Sequence, residues 1–183
     1  MKKINKILLW FFITFFCFFI FANIIVAVFA KRIVVKQIEQ NLKTRVSLDK
    51  INISLPFSLN LVNLEIGDLL KVERLSISPN IFGFLAGKIV LNRVALINPV
   101  VNLRQGRDGN LNLPKPEQKG KPPEVYLISL VVRNAKFIFT DYKISPSGYR
   151  VILGKINADI SKVMFPPTSL KANFKLSADV LNP

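Results

Sequence analysis

Few side chains in this chain could do acid–base work, attack a carbonyl or hold a metal ion. It has eleven Asp and Glu residues, no His and one Cys, and Cys17 stands inside a long apolar run. Those counts exclude an intrachain disulfide, a Cys/His zinc site, Ser-His and Cys-His nucleophile pairs and an imidazole proton shuttle. The acids Glu39, Asp49, Glu65, Asp68, Glu73, Asp108, Glu117, Glu124, Asp141, Asp159 and Asp179 are spread along the chain. The closest pair, Glu65 and Asp68, flanks Gly67 and reads as turn chemistry rather than as a metal site. No Gly-rich phosphate loop occurs. The expectation is therefore a protein that is not an enzyme and uses no metal and no cofactor.

What remains with a chemical bias is positive charge and apolar surface. Twenty-six basic residues against eleven acids give a net charge of +15, which raises nucleic acid, anionic lipid head groups and acidic proteins as partners. The cations are scattered mostly singly, and the densest group, Lys115, Lys119 and Lys121, falls in a Pro-rich stretch rather than on a regular element. That distribution fits a solvated or membrane-facing surface, and no nucleic acid is expected.

The elements that must carry these features begin with an uncharged run, ILLWFFITFFCFFIFANIIVAVFA, from Ile7 to Ala30. Its 24 residues would rise about 36 Å as a helix, against a hydrocarbon core of roughly 30 Å. Lys2, Lys3 and Lys6 precede it, and Lys31, Arg32 and Lys36 follow it, so cations stop both ends. Val28-Phe29-Ala30 would suit a signal peptidase, but the run exceeds the roughly 7 to 15 apolar residues of a signal sequence. Residues 1–6 are expected as a cytoplasmic tail and 7–30 as a transmembrane helix. A short basic tail staying inside puts the remaining domain outside, which in a diderm bacterium is the periplasm. The three cations Lys31, Arg32 and Lys36 are candidate membrane-surface contacts, at up to about 1 kcal/mol each.

Past the run, Val34, Ile38 and Leu42 recur at intervals of four, which predicts a short amphipathic helix within 31–46. A first β segment, 47–113, opens with Ile51, Ile53, Leu55, Phe57, Leu59 and Leu61 alternating with polar residues, and Pro56 marks an edge, a bulge or a break into two strands. Further strands are expected over Val72–Ile77, Ile89–Leu103 interrupted near Asn98-Pro99, Tyr126–Arg133, Ala135–Thr140, Tyr149–Leu153, Ile156–Ile160 and Leu170–Val180. Asn80–Gly87 reads as a tight apolar turn or one helical turn. LPKPEQKGKPPE places an exposed Pro/Lys-rich loop over 114–124, before a second β segment, 125–183. A weak internal repeat at an offset of 36 lays Val94–Gln105 over Leu130–Asp141.

A sheet with one apolar face must cover it. An ordinary closed β-sandwich or jelly roll would do so. An elongated, curved antiparallel sheet whose apolar face is an open groove is the other solution, and periodicity leaves both standing. About ten strands would make such a sheet 45 to 50 Å long at ~4.8 Å per strand. A last strand over Leu170–Leu181 would leave a free edge, where other envelope proteins could add a strand; it also raises the expectation of a truncated chain.

The order of the motifs resembles the N-terminal region of the AsmA family, relatives of TamB and of the bridge-like lipid transfer proteins. The resemblance rests on the apolar run, the short helix, the amphipathic strand, SPNIFGFLAGKIVLNRVALINPVVNLRQGRDGNLNLP from Ser78 to Pro114, and LISLVVRNAKFIFTDY from Leu127 to Tyr142. Asn112-Leu113 departs from the Asn-Trp pair of many members, and the chain is shorter than most of them. The resemblance implies a single-pass inner-membrane protein with its β domain in the periplasm. Such a protein would passively carry or shield membrane phospholipid between membranes, supporting outer-membrane biogenesis. The implied groove lining is Ile51, Ile53, Leu55, Phe57, Leu59, Leu61, Phe137, Phe139, Phe174 and Leu176, with core packing as the alternative at each. Two rival readings stay open: a bitopic component of lipopolysaccharide export like LptC, which would be a closed jelly-roll-like module, and a structural adaptor that binds protein through a strand edge without lipid.

Overall fold

A computed structural model of the chain describes residues 2–25, 31–54, 58–114, 124–165 and 173–182. Helix α1 covers Lys2–Ile25 and α2 Lys31–Leu42, and a single turn of helix, α3, covers Ile81–Leu85. The strands are β1 Val46–Ser47, β2 Lys50–Ser54, β3 Ser58–Ile66, β4 Leu70–Pro79, β5 Ile89–Gln105, β6 Val125–Asp141, β7 Tyr149–Phe165 and β8 Asn173–Asn182. Among the described residues no helix is long and apolar enough to cross a membrane. The uncharged part of α1 within them, 7–25, rises about 28 Å, just short of a hydrocarbon core of roughly 30 Å. The uncharged run continues in the sequence to Ala30, outside the described residues.

Amphipathic α2 forms where the spacing of Val34, Ile38 and Leu42 predicts it. Its apolar side, Val34, Val35 and Ile38, packs on Val46, Leu48, Ile51, Leu61 and Leu64, the buried cluster on one face of β1–β3. Ile51 and Val72 are the largest side chains closed off completely, both 0% exposed. Each such aliphatic side chain contributes roughly 1.5–3 kcal/mol by leaving water. Two polar contacts fix the docking: the Glu39 carboxylate accepts from the Val46 amide at 2.9 Å, and the Lys31 ammonium donates to the Asp49 carbonyl at 2.9 Å.

The eight strands form one open sheet in the order β1-β3-β4-β5-β6-β7-β8, with β2 beside β1 on the same edge of β3. It is neither a closed sandwich nor a jelly roll. The expected antiparallel sheet is instead mixed, because β5 and β6 run parallel. The reason lies in the crossover: the chain leaves β5 at one end of the sheet and re-enters β6 at the other, through the stretch that contains the Pro/Lys-rich segment, of which 115–123 lie outside the described residues. Parallel neighbours need such a long connection, whereas antiparallel ones need only a turn. Among the described residues the strand count is eight rather than about ten, and with β1 and β2 sharing one edge the six strand spacings of about 4.8 Å make the sheet only about 30 Å across.

Alternation from Ile51 to Leu61 does not make one strand. Ser54 pairs with Ser58, Ile53 with Leu59 and Ile51 with Leu61, so β2 and β3 are two antiparallel strands rather than one, the break into two strands that is one of the outcomes expected near Pro56. Leu55, Pro56 and Phe57 lie outside the described residues.

The opposite correction applies further along. Where the apolar pattern slips, near Asn98, Asn134 and Gly154-Lys155, the chain does not stop and restart; β5, β6 and β7 each run 17 residues through the slip. A residue in the left-handed region stands at each slip: Asn98 at φ 50°, Asn134 at 52° and Lys155 at 48°. Asn63 does the same in β3 at φ 50°. One such residue rotates the strand and shifts its side-chain alternation by one position, as a bulge does. In β3 this lets odd-numbered Leu59 and Leu61 and even-numbered Leu64 and Ile66 join the same cluster.

These irregular residues lie side by side. Asn63 sits between the pairs Val62–Arg74 and Leu64–Val72, opposite Glu73, and Asn98 sits between Ile97–Arg74 and Pro99–Val72, also opposite Glu73. The Asn98 amide donates to Glu73 and accepts from the Asn134 amide at 2.8 Å. The Asn134 backbone N–H in turn donates to the Asn157 side-chain oxygen at 3.0 Å. A polar crease therefore crosses the sheet from β3 to β7, and the offset of 36 seen in the sequence is the parallel register itself, Val94 opposite Leu130 and Val101 opposite Phe137.

Candidate functional site

Following the register across the sheet assembles a surface that no single strand reveals. One row reads Ile53, Leu59, Ile77, Val94, Leu130, Ile160 and Phe174 from β2 to β8. The next reads Ile51, Leu61, Leu75, Leu96, Val132, Ala158 and Leu176. Beyond the crease a third reads Val46, Ile66, Leu70, Val101, Phe137, Leu153 and Val180. Directly paired residues point to one face, and all three rows pass through the cluster beneath α2, at Leu59 and Ile77, Ile51 and Leu61, and Val46 and Ile66, so they line the same face. The row between the first two, on the other face, is Asn52, Asn60, Ser76, Ala95, Val131, Asp159 and Lys175. It is mostly polar, with Ser76 donating to Asn60 at 2.7 Å.

Cover on the apolar face runs out from one edge to the other. Beneath α2, Ile51 and Leu61 are 0% and 3% exposed. Residues of β5–β7 such as Leu96, Phe137 and Ile160 are half-buried. On β8, Phe174, Leu176 and Val180 are 76%, 63% and 65% exposed. Among the described residues no element lies over this last part, and β8 pairs only with β7. Gly154 leaves room for β8 to close on β7: a Cβ there would lie 2.3 Å from Leu181 Cδ1, so a larger residue would displace the Leu181 side chain.

Of the ten expected lining residues, eight fall within the described parts, and all but Phe139 stand in these three rows. Phe139 pairs with Val151 at the far end of β6 and is half-buried. Ile51 and Leu61 are closed core under α2 rather than open lining, because the helix takes that stretch of the face. Ile53, Leu59 and Phe137 are half-buried, and Phe174 and Leu176 are open. Leu55 and Phe57 lie outside the described residues. Val101 and Leu153 belong to the same face and were hidden by the shift of alternation at the crease, and Val180 joins them on β8, whose alternation is unbroken.

Of the candidate membrane-surface cations, Arg32 and Lys36 are exposed on the outer side of α2, while Lys31 is held at the Asp49 carbonyl. Among the described residues the acids do not converge. Glu65 pairs with Lys71, Asp68 with Arg104 at 2.6 Å, Asp159 with Arg133 at 2.7 Å and Asp179 with Lys155 at 3.2 Å. The hydrogen bond and charge of Glu65 hold the Lys71 ammonium above its ordinary range, and the Glu124 carboxylate raises the Tyr126 phenol. Both effects are those of an exposed neighbour and mark no acid or base poised for catalysis. The described residues contain no group of three or more His, Cys, Asp or Glu arranged to hold a metal ion.

Fold and face together define a class, an open mixed β-sheet with one apolar face covered at one edge by a helix. No family model, curated protein or solved structure matches the chain.

Proposed function

We propose that the chain is a single-pass membrane protein whose open apolar face holds phospholipid acyl chains, carrying or shielding them between membranes without catalysis. The observation that carries this reading is the set of apolar rows running from β2 to β8, covered by α2 at one edge and bare at the other. Exposing Phe174, Leu176 and Val180 together to water is unfavourable at roughly 25 cal/mol per Å², and acyl chains remove that cost without requiring polar contacts. Uncharged residues 7–30 supply the anchor, and the arrangement agrees with what the AsmA resemblance implies, with the inner membrane and periplasm as its location. An open sheet speaks against the closed module expected of an LptC-like protein. Among the described residues β8 pairs only with β7, and its outer edge favours one further partner class, an envelope protein that adds a strand there.

Photo-crosslinking tests the reading. The full chain is purified with a phospholipid carrying a diazirine near the end of one acyl chain, irradiated and mapped by peptide mass spectrometry. Adducts are expected on β6–β8, around Phe137, Phe174 and Leu176, as well as on α1. Adducts on α1 alone would leave the sheet without lipid and favour the adaptor.

A further inference from the structure

The two most exposed large apolar side chains among the described residues are neither on α1 nor on the open face. They are Phe82, 83% exposed, and Leu85, 80% exposed, and Ile81 beside them is 41% exposed. All three belong to α3, the single turn between β4 and β5. This turn is built firmly. The Asn80 side chain caps it by accepting from the Gly83 amide at 2.9 Å and donates to Asn92 at 3.0 Å, and the Asn80 amide donates to the Val90 carbonyl at 2.8 Å. Gly87, at φ +70°, closes it, with the Lys88 amide reaching back to the Gly83 carbonyl at 2.9 Å, the usual left-handed end of a helix.

Its polarity is inverted relative to a packed turn. Gly83 faces the sheet, so closely that a Cβ there would lie 2.8 Å from Val90 Cγ2, while Phe82 and Leu85, three residues apart and hence on one side of the turn, face water. A turn selected for packing would do the reverse. The turn also lies at a particular end of the sheet. Leu42, the last residue of α2, borders a cavity of about 320 Å³ with Ile66, Asp68 and Leu69 at the β3–β4 turn, and the helix runs from there toward the opposite end, with Lys31 reaching Asp49. That opposite end carries α3, so the start of α2, which follows the apolar run directly in sequence, faces the same way as Phe82 and Leu85. Lys88 just before β5, Arg93 on β5 and Lys162 on β7 are exposed at this end, and the described acid there is Glu124, which accepts from Tyr126 at 3.2 Å.

We propose that α3 is a second membrane contact: Ile81, Phe82 and Leu85 enter the interface of the bilayer that holds α1, and Lys88 and Arg93 meet its anionic head groups. Apolar side chains backed by cations are the composition that interfacial contacts use. The inference rests on the anchored reading of residues 7–30, and it sets the sheet end-on to the membrane, so that its apolar rows lie across the membrane normal.

Environment-sensitive labels test it in the full chain. With Cys17→Ser as background, single variants Phe82→Cys, Ile144→Cys and Phe11→Cys carry an NBD dye, and each is reconstituted into vesicles of zwitterionic and anionic phospholipid with or without nitroxide-bearing acyl chains. Ile144, 72% exposed, follows β6 at the far end of the sheet. The expected result is blue-shifted, nitroxide-quenched emission at positions 11 and 82 and water-like emission at 144. The shift at 82 should weaken when anionic lipid is omitted or when Lys88→Glu and Arg93→Glu are introduced. Quenching at 11 with water-like emission at 82 would overturn the contact and leave the anchor standing. Water-like emission at 11 would overturn the anchored reading and the contact with it. Quenching at 82 and 144 alike would mean that the sheet lies flat, which also overturns the contact as described.

Discussion

Replacing Ile51 by Ala is expected to lower stability by about 3 kcal/mol, within the 2–5 kcal/mol usual for truncating a buried aliphatic side chain, and to lower Tm by about 10 °C. Ile51 is 0% exposed and lies where α2 meets β1, β2 and β3, so the truncation opens a cavity that neither a rigid helix nor a paired strand can easily fill. Leu176 stands in the same row, directly linked to Ile51 through Leu61, Leu75, Leu96, Val132 and Ala158. It is 63% exposed, and Leu176→Ala is expected to change stability by no more than about 0.5 kcal/mol. Urea unfolding of the two variants checks both values. A large loss at Leu176 would mean that its end of the row is core after all, and a small loss at Ile51 would mean that α2 does not cover the sheet.

The second large effect is expected at the crease. Asn98→Gly keeps the left-handed backbone and loses the side-chain bonds to Glu73 and Asn134, at a cost of about 1–2 kcal/mol. Asn98→Val loses the same bonds and also places a β-branched residue at φ 50°, which adds roughly 1–2 kcal/mol or more. Thermal unfolding should therefore rank wild type above Gly and Gly above Val. Equal losses for Gly and Val would show that hydrogen bonding, not backbone conformation, is what Asn supplies there.

The reason for the crease also explains what could be read in the sequence and what could not. Strand content, α2, the turn at Asn80–Gly87 and the break near Pro56 follow from period and turn chemistry, which are local. The pairing of β5 with β6 is not local, yet its register was visible as the offset of 36, because two strands stacked in parallel with the same bulge need the same spacing of apolar residues around one Asn. Splitting β5, β6 and β7 at Asn98, Asn134 and Lys155 was the error that strict alternation invites. A strand with one left-handed residue looks like two strands, and only the φ values show that the alternation slips while the strand continues. The candidate face was legible in Phe174 and Leu176, whose strand alternates without interruption. It was misread at Ile51 and Leu61, since an apolar residue on an amphipathic strand carries no sign of whether a helix or a ligand covers it. The inverted polarity of α3 was out of reach for a related reason: NIFGFLAG fits a buried turn as well as an exposed one, and only the closeness of Gly83 to Val90 turns Phe82 and Leu85 outward.

Native mass spectrometry of the full chain released from a mild detergent bears most directly on the open apolar face. The account predicts that wild-type protein retains phospholipid, identified after extraction, and that Phe174→Asp with Leu176→Asp removes at least one bound phospholipid while the unfolding midpoint stays within about 0.5 kcal/mol of wild type in stability. An unchanged phospholipid count in a folded double variant would contradict it.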